Sequence, residues 1–513
     1  MPATRTQNAI RNIAFGSLNR FVTLVLPFVT RTITLYLLGA SFLGIGTLFS
    51  SILSFLSLTE LGLGSAIVYS MYKPIAQNDT VALRALLNFY RKLYRVIGVI
   101  ILTLGTALLP LVPFLMKGDA PDGINVYVLY YIYLINSVIS YFFAGYRQSL
   151  LSAHQRVDIT NNIATLVNLG VQMGQILALY LTRNFYVYAL VPIGGTLVVN
   201  LVNSIITKKK YPEIKCEGKI SEETKKAIKN KLGGLFGTKL NSIVVHSSDT
   251  IVISAFLGLT MTAQYGNYYY IMNAVCGFIM VFYSSLTAGI GNKLVSDSLE
   301  ENYTLFKNLS FINLWLVGWC SICFLCLYEP FMKLWVGEEL KLGVPFVLLM
   351  VGYFFIYEVQ RTILTFKDAA GLWHKDKMRP YVSMLVNVIS NVILVQVMGI
   401  YGIVVSTILA FLISVPWANH VLFKYLFKKS SLSNLLYMTK GFLITAVVGA
   451  ITYGVCMLCG EGIWGVLTRL GICCILPNAL FVIFFLRDKE FKYMLHRIKS
   501  LIRSKLRRGE ERL

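Results

Sequence analysis

Eight ionisable side chains lie inside stretches of the sequence that are otherwise apolar. The basic ones are Arg20, Arg31, Lys239, Arg361 and Arg469, and the acidic ones are Glu60, Asp249 and Glu358. Guanidinium and ammonium groups bind phosphate, whereas carboxylates bind cations or carry protons. Ionisable groups in such segments are costly and are candidates for function. The excess of basic groups predicts a site for an anionic ligand, and the three carboxylates are predicted sites for H+ or Na+ coupling.

The first apolar segment carries two of these arginines with a proline between them. Arg20 and Arg31 are eleven residues apart, and Pro27 lies between them. Eleven residues make about three helical turns, so both arginines share one helix face, about 16 Å apart along the axis. We expect both to bind the ligand, and Pro27 is a predicted hinge because proline removes a backbone hydrogen bond. The alternative for Arg20 is that its side chain extends to the nearby polar interface.

A second basic group occurs in the middle of the chain. Lys239, His246 and Asp249 are spaced by seven and three residues, which places them on one broad helix face. Lys239 is predicted to bind the ligand and Asp249 to take part in ion coupling. The alternatives are that Lys239 binds a lipid headgroup and that Asp249 binds a neighbouring hydroxyl such as that of Ser248.

Further candidates lie toward the carboxyl end. Glu358 and Arg361 are three residues apart, and Asn387 and Asn391 are four apart. Arg361 and both asparagines are predicted to bind substrate, with the amides forming hydrogen bonds to hydroxyl groups of the ligand. The alternatives are that Glu358 and Arg361 neutralise each other and that the asparagines form hydrogen bonds between helices.

The composition shows what kind of protein positions these groups. The 513 residues are 56% hydrophobic and only 14% charged, with a mean hydropathy of +0.65. Such a chain is a polytopic membrane protein, and spans of this length are helices. The predicted fold class is all-α with fourteen transmembrane helices. The predicted spans are 15–38, 42–69, 93–116, 124–146, 160–181, 185–206, 233–257, 263–290, 309–328, 342–365, 381–398, 401–423, 439–459 and 463–486.

Orientation is predicted from the distribution of basic residues. If both termini are cytoplasmic, 38 of the 47 Lys and Arg residues lie in cytoplasmic tails and loops and four lie in outer loops. This asymmetry follows the positive-inside rule, so the net charge of +23 indicates topology and no nucleic-acid partner is needed. The outer loops are short, which leaves no room for an outer catalytic domain. The cysteine runs CSICFLC and CMLC (Cys320–Cys326 and Cys456–Cys459) are expected to pack as apolar residues and to bind no metal.

Two short similarities share one offset and indicate an internal repeat. Leu37–Gly39 resembles Phe256–Gly258, and Thr165–Asn168 resembles Met384–Asn387, both with a shift of 219 residues. Six helices are therefore predicted to be duplicated with the same topology. The predicted organisation is an N-terminal six-helix lobe (1–207), a cytoplasmic basic linker (208–231), a C-terminal six-helix lobe (232–430), two additional helices (431–486) and a cytoplasmic basic tail (487–513).

Several of these stretches carry a resemblance to a known family. RTITLYLLGASFLGIGTLFSSILSFLSLTELGLGSAIVYSMYKPI (Arg31–Ile75) resembles the start of Wzx-type polysaccharide repeat-unit flippases, within the multidrug/oligosaccharidyl-lipid/polysaccharide exporter superfamily. The matching features are the arginine in the first helix, the glycine at Gly44 and the ELGLG turn at Glu60–Gly64. DTIVISAFLG (Asp249–Gly258) and the following Tyr265–Gly266 resemble the seventh helix and its turn.

The resemblance implies a fold and a function. It implies two six-helix lobes arranged as a V around a central cavity, and alternating-access export of undecaprenyl-diphosphate-linked oligosaccharides across the bacterial inner membrane for capsule, O-antigen or exopolysaccharide. It also implies a monomer without cofactor, with membrane lipids, a glycan polymerase and a chain-length regulator as partners. Two alternatives remain: a multidrug or cation antiporter of the same superfamily, expected to have an acidic cavity, and a membrane glycan polymerase, which would be an enzyme with a large outer loop.

Overall fold

The computed structural model describes residues 25–60, 62–117 and 120–496. Within these ranges the chain forms α-helices, joined by short turns and single turns of 3-10 helix, and contains no strand. The helices are α1 (Val25–Leu38), α2 (Ala40–Leu56), α3 (Leu63–Ala76), α4 (Thr80–Ala107), α5 (Val126–Phe142), α6 (Gln148–Ala153), α7 (Val157–Thr182), α8 (Phe185–Lys210), α9 (Glu222–Leu257), α10 (Leu259–Ser296), α11 (Leu299–Val336), α12 (Val344–Val359), α13 (Arg361–Ala369), α14 (Arg379–Met398), α15 (Ile400–Leu422), α16 (Leu432–Cys456) and α17 (Gly462–Phe485).

The helices confirm the prediction of an all-α polytopic membrane protein. Among the described residues, eleven helices or continuous helix pairs are long and apolar enough to cross a bilayer. The segment containing α5 and α6, bent by 51°, makes a twelfth, and α1 and α2 are shorter apolar helices. Each of the fourteen predicted spans thus has a helical counterpart in the described part of the chain.

The second predicted span, 42–69, is wrong as a continuous helix. The structure divides it into α2 and α3, with a turn of 3-10 helix at Ser57–Glu60 between them. Gly62 has a φ of +79°, a left-handed conformation that glycine adopts without a Cβ clash and that ends a helix. The helix therefore breaks between α2 and α3, and Glu60 is the last residue of the 3-10 turn that follows α2.

Other helix limits differ from prediction because helices continue past their apolar cores. The ninth span was predicted at 309–328, but α11 begins at Leu299, where Ser298 and Glu301 form a capping box. The third span was predicted at 93–116, but α4 begins at Thr80, with the Asp79 carboxylate accepting a hydrogen bond from the Ala82 amide. Polar capping residues therefore determine where these helices begin, and hydropathy does not detect them.

The chain forms two compact units, Met1–Gly266 and Asn267–Leu513. In the first unit, one apolar cluster joins α2, α4, α5 and the start of α8, with Phe49 against Tyr130 at its centre. In the second unit, an aromatic cluster joins α11, α13 and α15, with Phe306 packed on the rings of Phe366 and Phe423. The division at residue 266 falls inside α10, whereas the predicted lobes of 1–207 and 232–430 remain a prediction.

The segment predicted as a linker, 208–231, is partly helical. It contains the last residues of α8 and the first ten residues of α9, so that only 211–221 lie between helices. These residues are fastened to the first unit, since Arg84 Nε donates to the Glu213 carbonyl at 2.7 Å and Asn88 Nδ2 donates to the Gly218 carbonyl at 2.8 Å. This connection is therefore packed against α4.

The backbone agrees with the proposed repeat at one diagnostic position. Gly39 separates α1 from α2 with φ 102° and ψ 172°, and Gly258 separates α9 from α10 with φ 92° and ψ 175°. The two residues are 219 positions apart, which is the offset of the sequence similarities. A single glycine in the same conformation thus joins the first and second helices of both predicted copies.

Candidate functional site

Uncharged polar side chains line a cavity of about 510 Å³ within the first unit. The cavity lies among α2, α5, α7 and α8. Its ten polar lining residues are Ser50, Ser54, Ser57, Tyr133, Asn136, Ser137, Asn168, Gln172, Gln175 and Tyr188. The remaining lining residues are Leu53, Val171, Ala189 and Pro192. No charged side chain is among these fourteen residues, so the cavity suits a neutral, hydroxyl-rich group better than an ion.

Helical spacing places two serines of α2 and the first residue of the following 3-10 turn on the cavity. Ser50, Ser54 and Ser57 are four and three residues apart and therefore share one face. Each hydroxyl donates to a carbonyl of its own helix, at 2.8, 2.8 and 2.6 Å respectively. Because the donors are used within the helix, the serine oxygens keep lone pairs that can accept hydrogen bonds from a ligand.

Amide side chains supply the other side of the cavity. Asn136 Oδ1 accepts from Thr196 Oγ1 at 3.1 Å, which orients the Asn136 amide, and Gln175 Nε2 donates to the Tyr188 carbonyl at 3.4 Å. In the described part of the chain, Ser137 and Asn168 have no hydrogen-bond partner. Groups that both donate and accept are thus available to a ligand on this side of the cavity.

Arg31, predicted to bind substrate, lies beside this cavity without being among its lining residues. Its neighbour Thr30 donates from Oγ1 to Gln172 Oε1 at 2.6 Å, which ties α1 to the cavity wall. Arg31 itself is half-buried; its Nη2 donates to the Ala263 carbonyl of α10 at 3.3 Å, and its charge acts on the Tyr188 hydroxyl. The structure therefore places one cation at the edge of a neutral cavity. Pro27 occupies the third residue of α1, and Arg20 lies outside the described residues.

Glu60 is held by two tyrosines at the end of α2. Tyr94 donates from its hydroxyl to Glu60 Oε1 at 2.8 Å, and the Tyr141 hydroxyl donates to Glu60 Oε2. The rings of Tyr94 and Tyr141 lie 4.8 Å apart, and Tyr90 packs against Tyr94 at the same distance. The carboxylate is therefore satisfied by neutral donors from α4 and α5, without a cationic partner among the described contacts. Its predicted role in ion coupling stays a prediction.

The other predicted residues of the first unit lie on α9. Asp249 is buried, and Tyr265 donates from its hydroxyl to Asp249 Oδ2 at 3.3 Å. Lys239, ten residues earlier, is exposed. The two side chains thus have different environments, one buried and one exposed, although the sequence places them on one broad helix face. Ligand binding by Lys239 and ion coupling by Asp249 both stay predictions.

In the second unit, Glu358 and Arg361 form an ion pair across a helix break. Arg361 Nη2 lies 2.7 Å from Glu358 Oε1, and Arg361 Nε donates to Glu358 Oε2 at 3.0 Å. The Glu358 side chain is fully buried, and the Arg361 side chain is 16% exposed. The break at Gln360 frees the carbonyls of residues 358 and 359, which accept from Asn313 Nδ2. The mutual neutralisation considered from the sequence is therefore present.

The two predicted asparagines join α14 to α15. Asn387 Nδ2 donates to Thr407 Oγ1 at 3.0 Å, and Asn391 accepts from the Ser406 hydroxyl. Asn391 Nδ2 also donates to Asn387 Oδ1 at 3.3 Å, and both side chains are fully buried. These are hydrogen bonds between helices, the alternative considered from the sequence. Their predicted contact with sugar stays a prediction.

Three cysteines from different helices converge in the second unit. Cys326 of α11, Cys456 of α16 and Cys473 of α17 are buried, and their sulfur atoms lie within 4.8 Å of one another. The sequence runs contain the first two of these residues and omit the third. Three thiolates would bring negative charge into apolar helices, whereas neutral thiols pack as small apolar groups. The predicted packing role stays a prediction.

Sequence reasoning missed most of the cavity. Of its polar lining, the sequence drew attention only to Asn168, as part of the repeat and as an amide in the fifth predicted span, and to Tyr133, as one of the clustered tyrosines of Val126–Leu134. The available signal was Ser50, Ser54 and Ser57 at helical spacing in an apolar segment, together with Gln172 and Gln175 in α7. Asn168 and Asn387 are equivalent under the 219-residue shift, yet Asn168 faces a cavity and Asn387 is closed in by α15. Sequence alone does not distinguish these two environments.

Comparison with known proteins shows what the fold is similar to. No protein-family model and no curated protein sequence matches the chain. Among solved structures, the lipid II flippase MurJ in an inward closed conformation is similar, with a TM-score of 0.66, 15% identity, and coverage of 91% of this chain and 98% of that one.

Two further similar structures are transporters. An inward-facing multidrug resistance MATE family transporter of the MOP superfamily has a TM-score of 0.58 and 16% identity, with coverage of 79% of this chain and 96% of that one. A MOP superfamily transporter from Pyrococcus furiosus, described as having a binding pocket of reverse polarity, has a TM-score of 0.51 and 15% identity, with coverage of 81% and 95%. The chain therefore has the fold of these flippases and transporters.

Proposed function

We propose that this membrane protein is a Wzx-type flippase that moves undecaprenyl-diphosphate-linked oligosaccharide repeat units from the cytoplasmic to the outer leaflet of the bacterial inner membrane. Both termini are cytoplasmic in this proposal, transport proceeds by alternating access, and the product serves capsule, O-antigen or exopolysaccharide synthesis. No catalytic step is required. The observation that supports it best is the cavity of the first unit, whose ten polar lining groups are hydroxyls and amides.

The chemistry of this lining matches a glycan. Sugar hydroxyls both donate and accept hydrogen bonds, and neutral hydroxyl and amide side chains do the same without the desolvation cost of a charge. Arg31 beside the cavity supplies the cation that a diphosphate requires. The resemblance of fold to a protein named as a lipid II flippase is consistent with a lipid-linked substrate.

The negative charge of the proposed substrate favours its export. Moving one negative charge out of a negative-inside cell gains about 2.3 kcal/mol per 100 mV. An anionic diphosphate can therefore be driven by the membrane potential. Proton or Na+ coupling through Glu60, Asp249 or Glu358 remains part of the proposal as an additional source of energy.

The second candidate function is a cation antiporter, which the similarity to MATE transporters brings into consideration. A site for organic cations is expected to use carboxylates. Glu60 and Asp249 are present in the first unit, but neither lines its cavity, and both accept hydrogen bonds from tyrosine hydroxyls. The neutral lining therefore favours a glycan over a cationic drug.

The proposal can be tested in a strain whose surface glycan depends on this chain. Arg31→Ala and Lys239→Ala are each expected to abolish surface glycan at normal protein level, and Arg31→Lys to retain part of it. Asn168→Leu and Gln172→Leu are expected to reduce surface glycan and to cause lipid-linked intermediates to accumulate, because they replace cavity amides by apolar groups.

Gln396→Leu is the matched control, because Gln396 is exposed on α14 and bonds only within its own helix. It should leave surface glycan unchanged. Normal surface glycan in both cavity variants would refute the proposal. If these variants also lost the efflux of a cationic dye, the result would favour the antiporter.

A further inference from the structure

A second polar pocket lies at one end of the second unit, separate from the cavity described above. Its volume is about 390 Å³. It forms where α11 and α16 begin and where α17 ends, with Lys307 of α11, Tyr437 and Lys440 of α16 and the residues 487–490 among its lining. On α11 the lining residues are four and three positions apart, and on α16 Asn434, Tyr437 and Lys440 are three apart with Ser433 beside them, so each helix presents one face to the pocket. None of these residues has a part in the proposed transport path.

The charges around this pocket do not cancel. Lys307 lies 3.9 Å from Glu490, and Lys440 lies 3.3 Å from Asp488. Arg487 and Lys489 also line the pocket and form no ion pair with any residue that the structure describes. Four cations thus face two anions, and two positive charges have no ion-pair partner among residues 25–60, 62–117 and 120–496.

A buried hydroxyl at the same place also lacks a partner. The Tyr437 hydroxyl oxygen is inaccessible to solvent and makes no hydrogen bond within the described ranges. Buried tyrosine hydroxyls normally find a hydrogen-bond partner. This hydroxyl is out of reach of a ligand, so the binding groups that the pocket offers are Arg487 and Lys489, whose charges an anion with several acceptor oxygens would satisfy.

We propose that this pocket binds the phosphate group of an anionic phospholipid headgroup. The guanidinium of Arg487 suits two phosphate oxygens, and Lys489 adds a second positive charge. The pocket lies at the ends of apolar helices, where lipid headgroups are found, and its volume is in the range of ligand sites. A bound headgroup contacts α11, α16 and the residues after α17 together. It therefore holds the end of α17 against α11 and α16.

The experiment measures thermal unfolding of the full-length purified protein in an uncharged detergent. The additives are phosphatidylglycerol, phosphatidylcholine at the same concentration, and inorganic phosphate. A ligand that binds only the folded state raises the midpoint of unfolding. Phosphatidylglycerol is expected to raise the midpoint of the wild type, and phosphatidylcholine is expected to have little effect. The rise should shrink with added salt, because salt screens the charges.

The variants locate the effect in the pocket. Arg487→Ala/Lys489→Ala should lose more than half of the rise caused by phosphatidylglycerol. Lys208→Ala/Lys209→Ala is the matched control, since it removes two exposed cations at the end of α8 and should keep the full rise.

The outcomes separate the two sources of phosphate. A rise with phosphatidylglycerol alone, lost in the double variant, supports the headgroup. An equal rise with inorganic phosphate, lost in the same variant, supports the phosphate site and assigns it to the free anion. The proposal is overturned if the pocket variant and the control respond alike, or if no phosphate compound shifts the wild type.

Discussion

At the scale of single residues, two arginines that interrupt apolar segments lie in different surroundings. Arg361 is paired with Glu358, whereas Arg31 lies beside a cavity lined by hydroxyls and amides. The sequence treats these two arginines alike, because both interrupt apolar segments. Their surroundings assign them different chemistry, and substitutions can distinguish a structural role from a transport role.

The Glu358–Arg361 pair provides a first test at this scale. Arg361→Ala leaves a fully buried carboxylate without its cation, which is expected to destabilise the protein by about 3 to 5 kcal/mol. Adding Glu358→Gln removes the unpaired charge and should restore much of the stability. Thermal unfolding in detergent measures both effects.

Transport in the same variants shows what the pair does. If Arg361 serves only the ion pair, the double variant recovers surface glycan along with stability. A double variant that is stable yet lacks glycan would instead place Arg361 in the substrate path, as the sequence predicted.

The sequence indicated which residue types could form a site, but it did not indicate what surrounds their side chains in the fold. Asn387 and Asn391 were recognised as polar residues in an apolar helix, but only the structure shows that α15 satisfies them. Most of the lining of the first-unit cavity was not predicted, because serines and glutamines also occur in apolar helices where they form hydrogen bonds within their own helix. Whether such a group faces a cavity depends on packing between helices, which periodicity within one helix does not contain.

At the scale of helices, breaks set the positions of functional groups. The turn after α2 holds Glu60 toward the tyrosines of α4 and α5, and the break after α12 brings Glu358 and Arg361 together. Hydropathy predicted the number of apolar segments but not these breaks, since the residues on both sides are apolar. A glycine motif signals the break after α2, where Gly62 has a φ of +79°, but the break at Gln360 has no glycine.

The prediction at this scale concerns Gly39 and Gly258, the junction glycines that separate α1 from α2 and α9 from α10. Gly39→Ala and Gly258→Ala would place a side chain at φ values of 102° and 92°, so each is expected to cost about 1 to 3 kcal/mol of stability. Gly170→Ala and Gly194→Ala are the controls, because both lie inside helices and a Cβ there meets no atom within 4 Å.

The controls should be neutral or stabilising, since alanine is a better helix former than glycine. Thermal unfolding of the four variants makes the comparison. Equal behaviour of the junction and control variants would argue against a shared junction in the two predicted copies.

At the scale of the whole molecule, the asymmetry of basic residues predicts orientation. If both termini are cytoplasmic, α16 crosses outward and α17 returns, so the turn containing Gly460 lies outside and the turn after α10 lies inside. In a background without the nine natural cysteines, Gly460→Cys should react with an impermeant maleimide in intact spheroplasts. Ser296→Cys should react only after lysis. The reverse labelling pattern would invert the topology and contradict export.

The central claim is that neutral polar groups and a nearby arginine carry a lipid-diphosphate-linked oligosaccharide across the membrane. Its most direct test uses proteoliposomes that contain such a lipid and an added glycosidase that cannot cross the bilayer. With the wild type, the glycosidase should reach the lipid of both leaflets. With Gln172→Leu it should reach the inner-leaflet share more slowly, and without protein it should reach the outer-leaflet share alone. If the inner-leaflet share stays protected in wild-type vesicles that nevertheless take up a cationic dye, the account is contradicted.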